Sequence, residues 1–98
     1  PREIEEKILQ HPAISEVAVL GVPDPVWGEV GIAVCVPREG HSPAEAELRG
    51  WLEDKIARYK MPKRFVFWNE MPKSAYGKIA KKLIREELER RGELESAA

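Results

Sequence analysis

The alternation of apolar and polar positions changes period several times along this chain. Residues 3–10 place Ile4, Ile8 and Leu9 on one face at helical spacing and predict a short first helix. Residues 16–22 and 30–36 are continuous, β-branched apolar runs, the second stopped by Pro37, and predict two buried strands. The seven residues between them, Pro23 to Glu29, are too few for a parallel crossover, so the two strands are expected to pair antiparallel. Ser42-Pro43-Ala44-Glu45 predicts a helix start, with Ser42 as N-cap, Pro43 in the first helical position and Glu45 closing a capping box. The helix that follows presents Leu48, Trp51, Leu52 and Ile56 inward.

Pro62 marks residues 59–64 as a loop, and Phe65-Val66-Phe67-Trp68 predicts a third, buried strand. A second loop runs from Asn69 to Gly77. A last helix is expected over 79–91, with Ala80, Leu83, Ile84 and Leu88 inward, Glu86–Arg90 and Glu87–Arg91 as supporting pairs, and Gly92 as its stop. The order α-β-β-α-β-α predicts an α+β fold: a small three-stranded sheet, an antiparallel hairpin plus a third strand, flanked by helices.

Composition narrows the class without naming a function. Ninety-eight residues, 43% hydrophobic and 34% charged, suit one globular domain and exclude a collagen-like, disulfide-rich or disordered chain. The size is small for an enzyme enclosing a nucleotide and a second substrate, so enzyme chemistry here implies part of a larger machine. Cys35 is the only cysteine and sits in the run Val34-Cys35-Val36, which predicts a buried, reduced core thiol and a reducing, cytoplasmic setting. No stretch approaches the ~18–20 apolar residues of a membrane span. The chain starts Pro1-Arg2-Glu3, without Met or an apolar leader, and reads as cut from something longer.

The net charge of -1 hides a strong asymmetry. Residues 1–57 carry 5 basic and 11 acidic side chains, whereas residues 58–85 carry nine basic ones and one acid, Glu70. Such a segment is expected to concentrate anions. Lys78 is its most informative member. It follows Gly77 and precedes the predicted helix, where a cation opposes the macrodipole by about 0.3–1 kcal/mol, so helix stability does not explain it. Gly77 permits a backbone shape that places an ammonium group on an exposed loop tip, with Lys73 on the same loop.

The string around Lys78 is more specific. Met71-Pro72-Lys73-Ser74-Ala75-Tyr76-Gly77-Lys78-Ile79-Ala80-Lys81-Lys82-Leu83 resembles the last signature of the AMP-forming acyl- and aryl-CoA synthetases of the adenylate-forming superfamily. His11-Pro12-Ala13-Ile14-Ser15-Glu16-Val17-Ala18-Val19 is similar to that family's "HPxVxEAAV" stretch. Gly21-Val22-Pro23-Asp24-Pro25-Val26-Trp27-Gly28-Glu29-Val30 and Tyr59-Lys60-Met61-Pro62-Lys63 follow in the family's order, and Pro1-Arg2-Glu3-Ile4-Glu5 resembles the end of its "NVYPxEIE" segment. The resemblance covers roughly residues 1–91.

It implies that residues 1–98 form the small C-terminal lid domain of such an enzyme, partnered by an absent N-terminal adenylation domain. The family joins a carboxylic acid to AMP from ATP with Mg2+, releases pyrophosphate, then rotates the lid so that a thiol, usually of CoA, attacks the acyl-adenylate. Lys78 is implied as the catalytic lysine, with Lys73 and Gly77 as its supporting loop, and as a site whose acetylation silences some members. The CoA site is implied at Trp27, Gly28, Glu29, Tyr59, Lys63 and Arg64, with Lys60 sharing the phosphate role. Flat rings suit a purine and cations suit phosphates.

Departures from the pattern are small. Met61 stands where some relatives carry a basic residue, Ser74 replaces the usual threonine, and Ile79-Ala80-Lys81 replaces Ile-Leu-Arg. His11 and His41 lack partners at catalytic or metal-ligand spacing and are expected to be ordinary surface or capping residues. No metal site is expected. Two other readings stay open: the lid of an enzyme that loads a carrier-protein pantetheine, and an α+β module binding RNA or DNA. The aromatic pair and Lys63 favour free CoA. The buried look of residues 65–68 and the net charge speak against nucleic acid and for no nucleic-acid partner.

Overall fold

The computed structural model describes residues 2–93; Pro1 and residues 94–98, Glu95 among them, lie outside the described residues. The elements run α1 (Arg2–Leu9), β1 (Ile14–Asp24), β2 (Gly28–Pro37), α2 (Glu45–Leu52), a 3-10 turn (Arg58–Lys60), β3 (Arg64–Phe67) and α3 (Lys81–Arg90). The sheet order is β1-β2-β3. The hairpin β1–β2 is antiparallel as expected, with Gly21 opposite Gly31 and Asp24 opposite Gly28. β3 lies parallel to β2, and the long connection that carries α2 makes that direction possible.

Burial on both faces explains why the strands read as unbroken apolar runs. Ala18, Leu20 and Val22 of β1, with Ile32, Val34 and Val36 of β2, face Ile84 and Leu88 of α3. Val17 and Val19, with Ala33 and Cys35, face Ile8, Leu48 and Leu52 of α1 and α2. The two helical layers thus share one sheet. Cys35 is wholly buried, and burial pushes its thiol up to about 12, so it stays protonated as a core group. At the free edge of β1, Glu5 of α1 accepts the Val19 N–H at 2.7 Å and so blocks an otherwise open strand edge.

Several local expectations are corrected. The capping box at Ser42 does not form: α2 begins at Glu45 with Ala44 in the cap position and no side-chain cap bond. The Glu45 carboxylate is taken instead by the Phe65 N–H at 3.1 Å and by Arg49 at 3.1 Å, because β3 needs an acceptor at its start. The last helix begins at Lys81 rather than 79, because Ile79 is held extended in a bridge to Lys73. Lys78 therefore precedes the helix cap instead of touching it, and Leu83, with Leu9 of α1, is exposed rather than inward. Glu87, not Glu86, takes both Arg90 and Arg91.

Gly92, at φ 73°, closes α3 as expected. Its N–H donates to the Glu89 carbonyl at 3.0 Å and that of Glu93 to the Leu88 carbonyl at 2.9 Å, a Schellman stop. His11 departs from a surface position. It is buried, its Nδ1 accepts the Ala13 N–H at 3.1 Å, and its Nε2 lies 3.0 Å from Glu47, so the proton sits on Nε2 and the ring caps the turn after α1.

Candidate functional site

Two features rise above the packed core, a groove at the turn end of the β1–β2 hairpin and a tight loop carrying Lys78. The groove exists because the side of the sheet that faces α1 and α2 runs out of side chains. Gly21 and Gly31 pair there, and a Cβ on Gly21 would meet the Glu29 carboxyl carbon at 2.6 Å. The resulting space is about 1010 Å³. One wall is the hairpin turn, with Trp27 73% exposed; the opposite wall is the 3-10 turn, with Tyr59 86% exposed. Neither ring is packed into the core.

Asp24 builds the first wall and ties it to the second. One carboxylate oxygen accepts the N–H groups of Val26 and Trp27, both at 2.8 Å, an Asx turn that sets the Trp27 backbone. The other takes the Lys63 ammonium at 2.9 Å. Lys63, and then the Trp27 and Val26 N–H groups, hold the Asp24 carboxyl down to about 2, against an ordinary value of 3.8. Gly28 follows at φ 81°, a left-handed shape that closes the turn. The loop is further pinned by the Lys63 N–H on the Gly31 carbonyl at 2.8 Å, by Arg49 on the carbonyls of Pro62 and Lys63, and by Lys60 on Glu3 at 2.9 Å.

The depressed Asp24 fixes an acid dependence. A carboxyl whose folded pKa lies below its unfolded value contributes stability that is fully present above about 3.8 and lost as pH falls through about 2. The Val26 and Trp27 amide resonances of this chain should therefore titrate together with a midpoint near 2, and Asp24→Asn should abolish the step. A midpoint near 3.8 in the wild type would mean that the Lys63 tie is not kept in solution.

The Lys78 loop is a miniature hairpin. The Ser74 N–H donates to the Lys78 carbonyl at 2.8 Å, and the Gly77 N–H donates to the Ser74 carbonyl at 2.9 Å. The Ser74 hydroxyl accepts the Tyr76 N–H at 3.3 Å, which explains a hydroxyl residue there. Gly77 sits at φ 75° with nothing near its missing Cβ, so conformation rather than crowding demands the glycine. Lys73 anchors the hairpin to β1 through Glu16 at 2.9 Å. The Lys78 side chain is exposed and, among the described residues, takes no ion-pair partner.

The expected residues thus fall into separate places. Trp27, Glu29, Tyr59 and Lys63 line the groove, with Gly28 in its turn. Arg64 lies outside it, paired with Glu93 at 3.5 Å in a different cleft. Lys73, Gly77 and Lys78 share the hairpin loop and line none of that groove. Four of the nine basic residues of 58–85 pair with the acidic half of the chain: Lys60 meets Glu3, Lys63 meets Asp24, Lys73 meets Glu16 and Lys81 meets Glu5, each at 2.9 Å. Arg85 donates to the Gly21 carbonyl at 2.9 Å. Sequence reading missed Asp24, whose signal was an Asp three residues before Trp27 in a Pro-punctuated turn. Among the described residues no three His, Cys, Asp or Glu are grouped to hold a metal ion, and no helix is long and apolar enough to cross a membrane.

The chain has known counterparts. Residues 3–78 match the family model described as the AMP-binding enzyme C-terminal domain. A feruloyl-CoA synthase from Amycolatopsis sp. is 44% identical over 85 residues, 87% of this chain and 17% of that protein. An indoleacetate–CoA ligase from Aromatoleum aromaticum is 46% identical over 86 residues, 88% of this chain and 17% of that protein. The structure of a Mycobacterium tuberculosis fatty acyl CoA synthetase superposes with a TM-score of 0.84 at 37% identity, over 93% of this chain and 18% of that one. The chain therefore spans about a sixth of these proteins, and it belongs to the C-terminal domain family of the AMP-forming acyl-CoA ligases.

Proposed function

We propose that this domain is the mobile lid of an ATP-dependent carboxylate–CoA ligase, working against an N-terminal adenylation domain. The observation that carries the reading is Lys78: an exposed cation without an ion-pair partner among the described residues, presented by a tight hairpin whose other lysine is tied down. In the first half-reaction a carboxylate oxygen bonds to the α-phosphorus of ATP while the bond from that phosphorus to the bridging oxygen breaks and pyrophosphate leaves. Two anions must approach. A fixed ammonium group offsets their repulsion where charge develops. Held on a movable domain, it is delivered for adenylation and withdrawn afterwards, so closure gates the chemistry. Mg2+ enters with ATP on the other domain.

In the second half-reaction the groove takes the nucleotide end of CoA, with the adenine between or against Trp27 and Tyr59, while the thiol attacks the acyl carbon and AMP leaves. A carrier-protein pantetheine has no adenine, so it would leave both exposed rings without a task. A nucleic-acid module needs a bare sheet as a stacking platform, and here both faces of the sheet are packed under helices.

The test is acid-dependent pyrophosphate release from ATP by the two-domain enzyme. The panel should begin with aryl acids such as ferulic and indoleacetic acid, then fatty and short-chain acids, since relatives named for aryl substrates stand among the similar proteins. Release with one acid class, followed by thioester formation when CoA is added, is the expected result. Acid-dependent release with no thioester from CoA would transfer the assignment to the carrier-protein reading, and no release with any acid would remove the ligase reading.

A further inference from the structure

The charges around the groove are not equivalent. Lys60 is paired with Glu3 and Lys63 with Asp24, both at 2.9 Å. Arg49 is engaged by Glu45 at 3.1 Å and by the carbonyls of Pro62 and Lys63. Arg64 faces another cleft. Arg58 also lines the groove, is exposed, and takes part in no ion pair among the described residues. It shares a small adjoining cleft with Glu53 without pairing to it. The Arg58 carbonyl accepts the Met61 N–H at 3.2 Å, which fixes its backbone in the same turn that projects Tyr59. The position two residues beyond Tyr59 is Met61, which offers no charge.

We infer that Arg58 is the phosphate contact of this groove and reads the 3′-phosphate of CoA. The inference rests on the CoA reading above and replaces Lys63 and Arg64 as the phosphate ligands. Its chemistry follows from adjacency. The residue beside a ring that stacks on adenine is near the ribose attached to that adenine, and the 3′-phosphate is the group carried there; the diphosphate leaves from the other end of the ribose. A phosphomonoester is close to dianionic at neutral pH, and a guanidinium fork meets two of its oxygens at once. Lys60 and Lys63 would first have to abandon a carboxylate, whereas Arg58 exchanges only water for phosphate.

The experiment compares CoA with 3′-dephospho-CoA in the two-domain enzyme, as wild type, Arg58→Ala, Arg58→Lys, Lys63→Ala and Trp27→Ala. Arg58→Ala should raise KM for CoA about tenfold and bring the preference for CoA over dephospho-CoA close to one. Arg58→Lys should keep part of that preference, since charge remains without the fork. Lys63→Ala should leave the preference in place. If Arg58→Ala keeps the preference, or if Lys63→Ala is the variant that loses it, the assignment to Arg58 is wrong. If Arg58→Ala raises KM for both thiols equally, the contact is to the diphosphate and the 3′-phosphate assignment is equally wrong. The CoA reading is judged separately by Trp27→Ala. A change in KM for both thiols keeps that reading whatever Arg58 does, and no change in either removes it.

Discussion

Lys78→Ala in the two-domain enzyme should lower the rate of acyl-adenylate formation about 10²–10³-fold and leave thioester formation from preformed acyl-adenylate within a few-fold of wild type. The size of the loss is that expected for one preorganised charge removed from the closed site proposed above. Its asymmetry follows from the proposed lid, in which the hairpin would deliver the ammonium group only in the adenylating position. Stability should not change by more than about 0.5 kcal/mol, since the side chain is exposed and pairs with nothing among the described residues. Pyrophosphate exchange reports the first half-reaction, and CoA-dependent consumption of synthetic adenylate reports the second. Equal loss in both, or a fall in melting temperature, would make Lys78 a structural residue. Lys78→Arg keeps the charge but changes reach and shape, and should recover only part of the rate.

Much of the fold was legible because its signals are local. Residues 17–22 and 30–36 are apolar at every position since both faces of the sheet are covered, and the short link between them forced the antiparallel pairing. The direction of β3 was not legible, because pairing of Ile32 with Arg64 and of Val34 with Val66 is a tertiary choice made by the route of α2. The two helix starts failed for a related reason. Ser42 was a sound cap by composition, yet Glu45 is claimed by the Phe65 N–H from the far side of the crossover. Ile79 had helical neighbours on one side, yet the bridge to Lys73 holds it extended.

The site divides the same way. The Lys78 hairpin was legible as a string, since Ser74, Gly77 and Lys78 bond to one another. The aromatic walls were legible only through resemblance; spacing alone does not bring Trp27 and Tyr59 to one groove. The ion pairs were not legible at all. Lys63 reaches Asp24 across 39 positions and Lys60 reaches Glu3 across 57, so part of a segment that reads as a broad anion trap is folded against acids that neutralise it. Charge counted along a chain measures the field only when the folded partners are known.

The same pairing sets the second large effect, on the groove. Trp27→Ala should raise KM for CoA about tenfold, within the 1–3 kcal/mol that stacking on a base is worth, with KM for ATP unchanged. Asp24→Ala should approach that effect without touching a ring, since it removes the acceptor for the Val26 and Trp27 N–H groups and frees the turn. Asp24→Asn separates the two duties of the carboxylate. It keeps an oxygen for both N–H groups but gives up the charge that holds Lys63. Its KM for CoA should therefore stay within about twofold of wild type, because a turn held in place costs nothing in stacking and a released lysine adds a cation to the groove. Asn behaving like Ala would show that the Lys63 tie, rather than the turn, positions Trp27. Effects confined to KM for ATP or for the acid would take the groove out of CoA binding altogether.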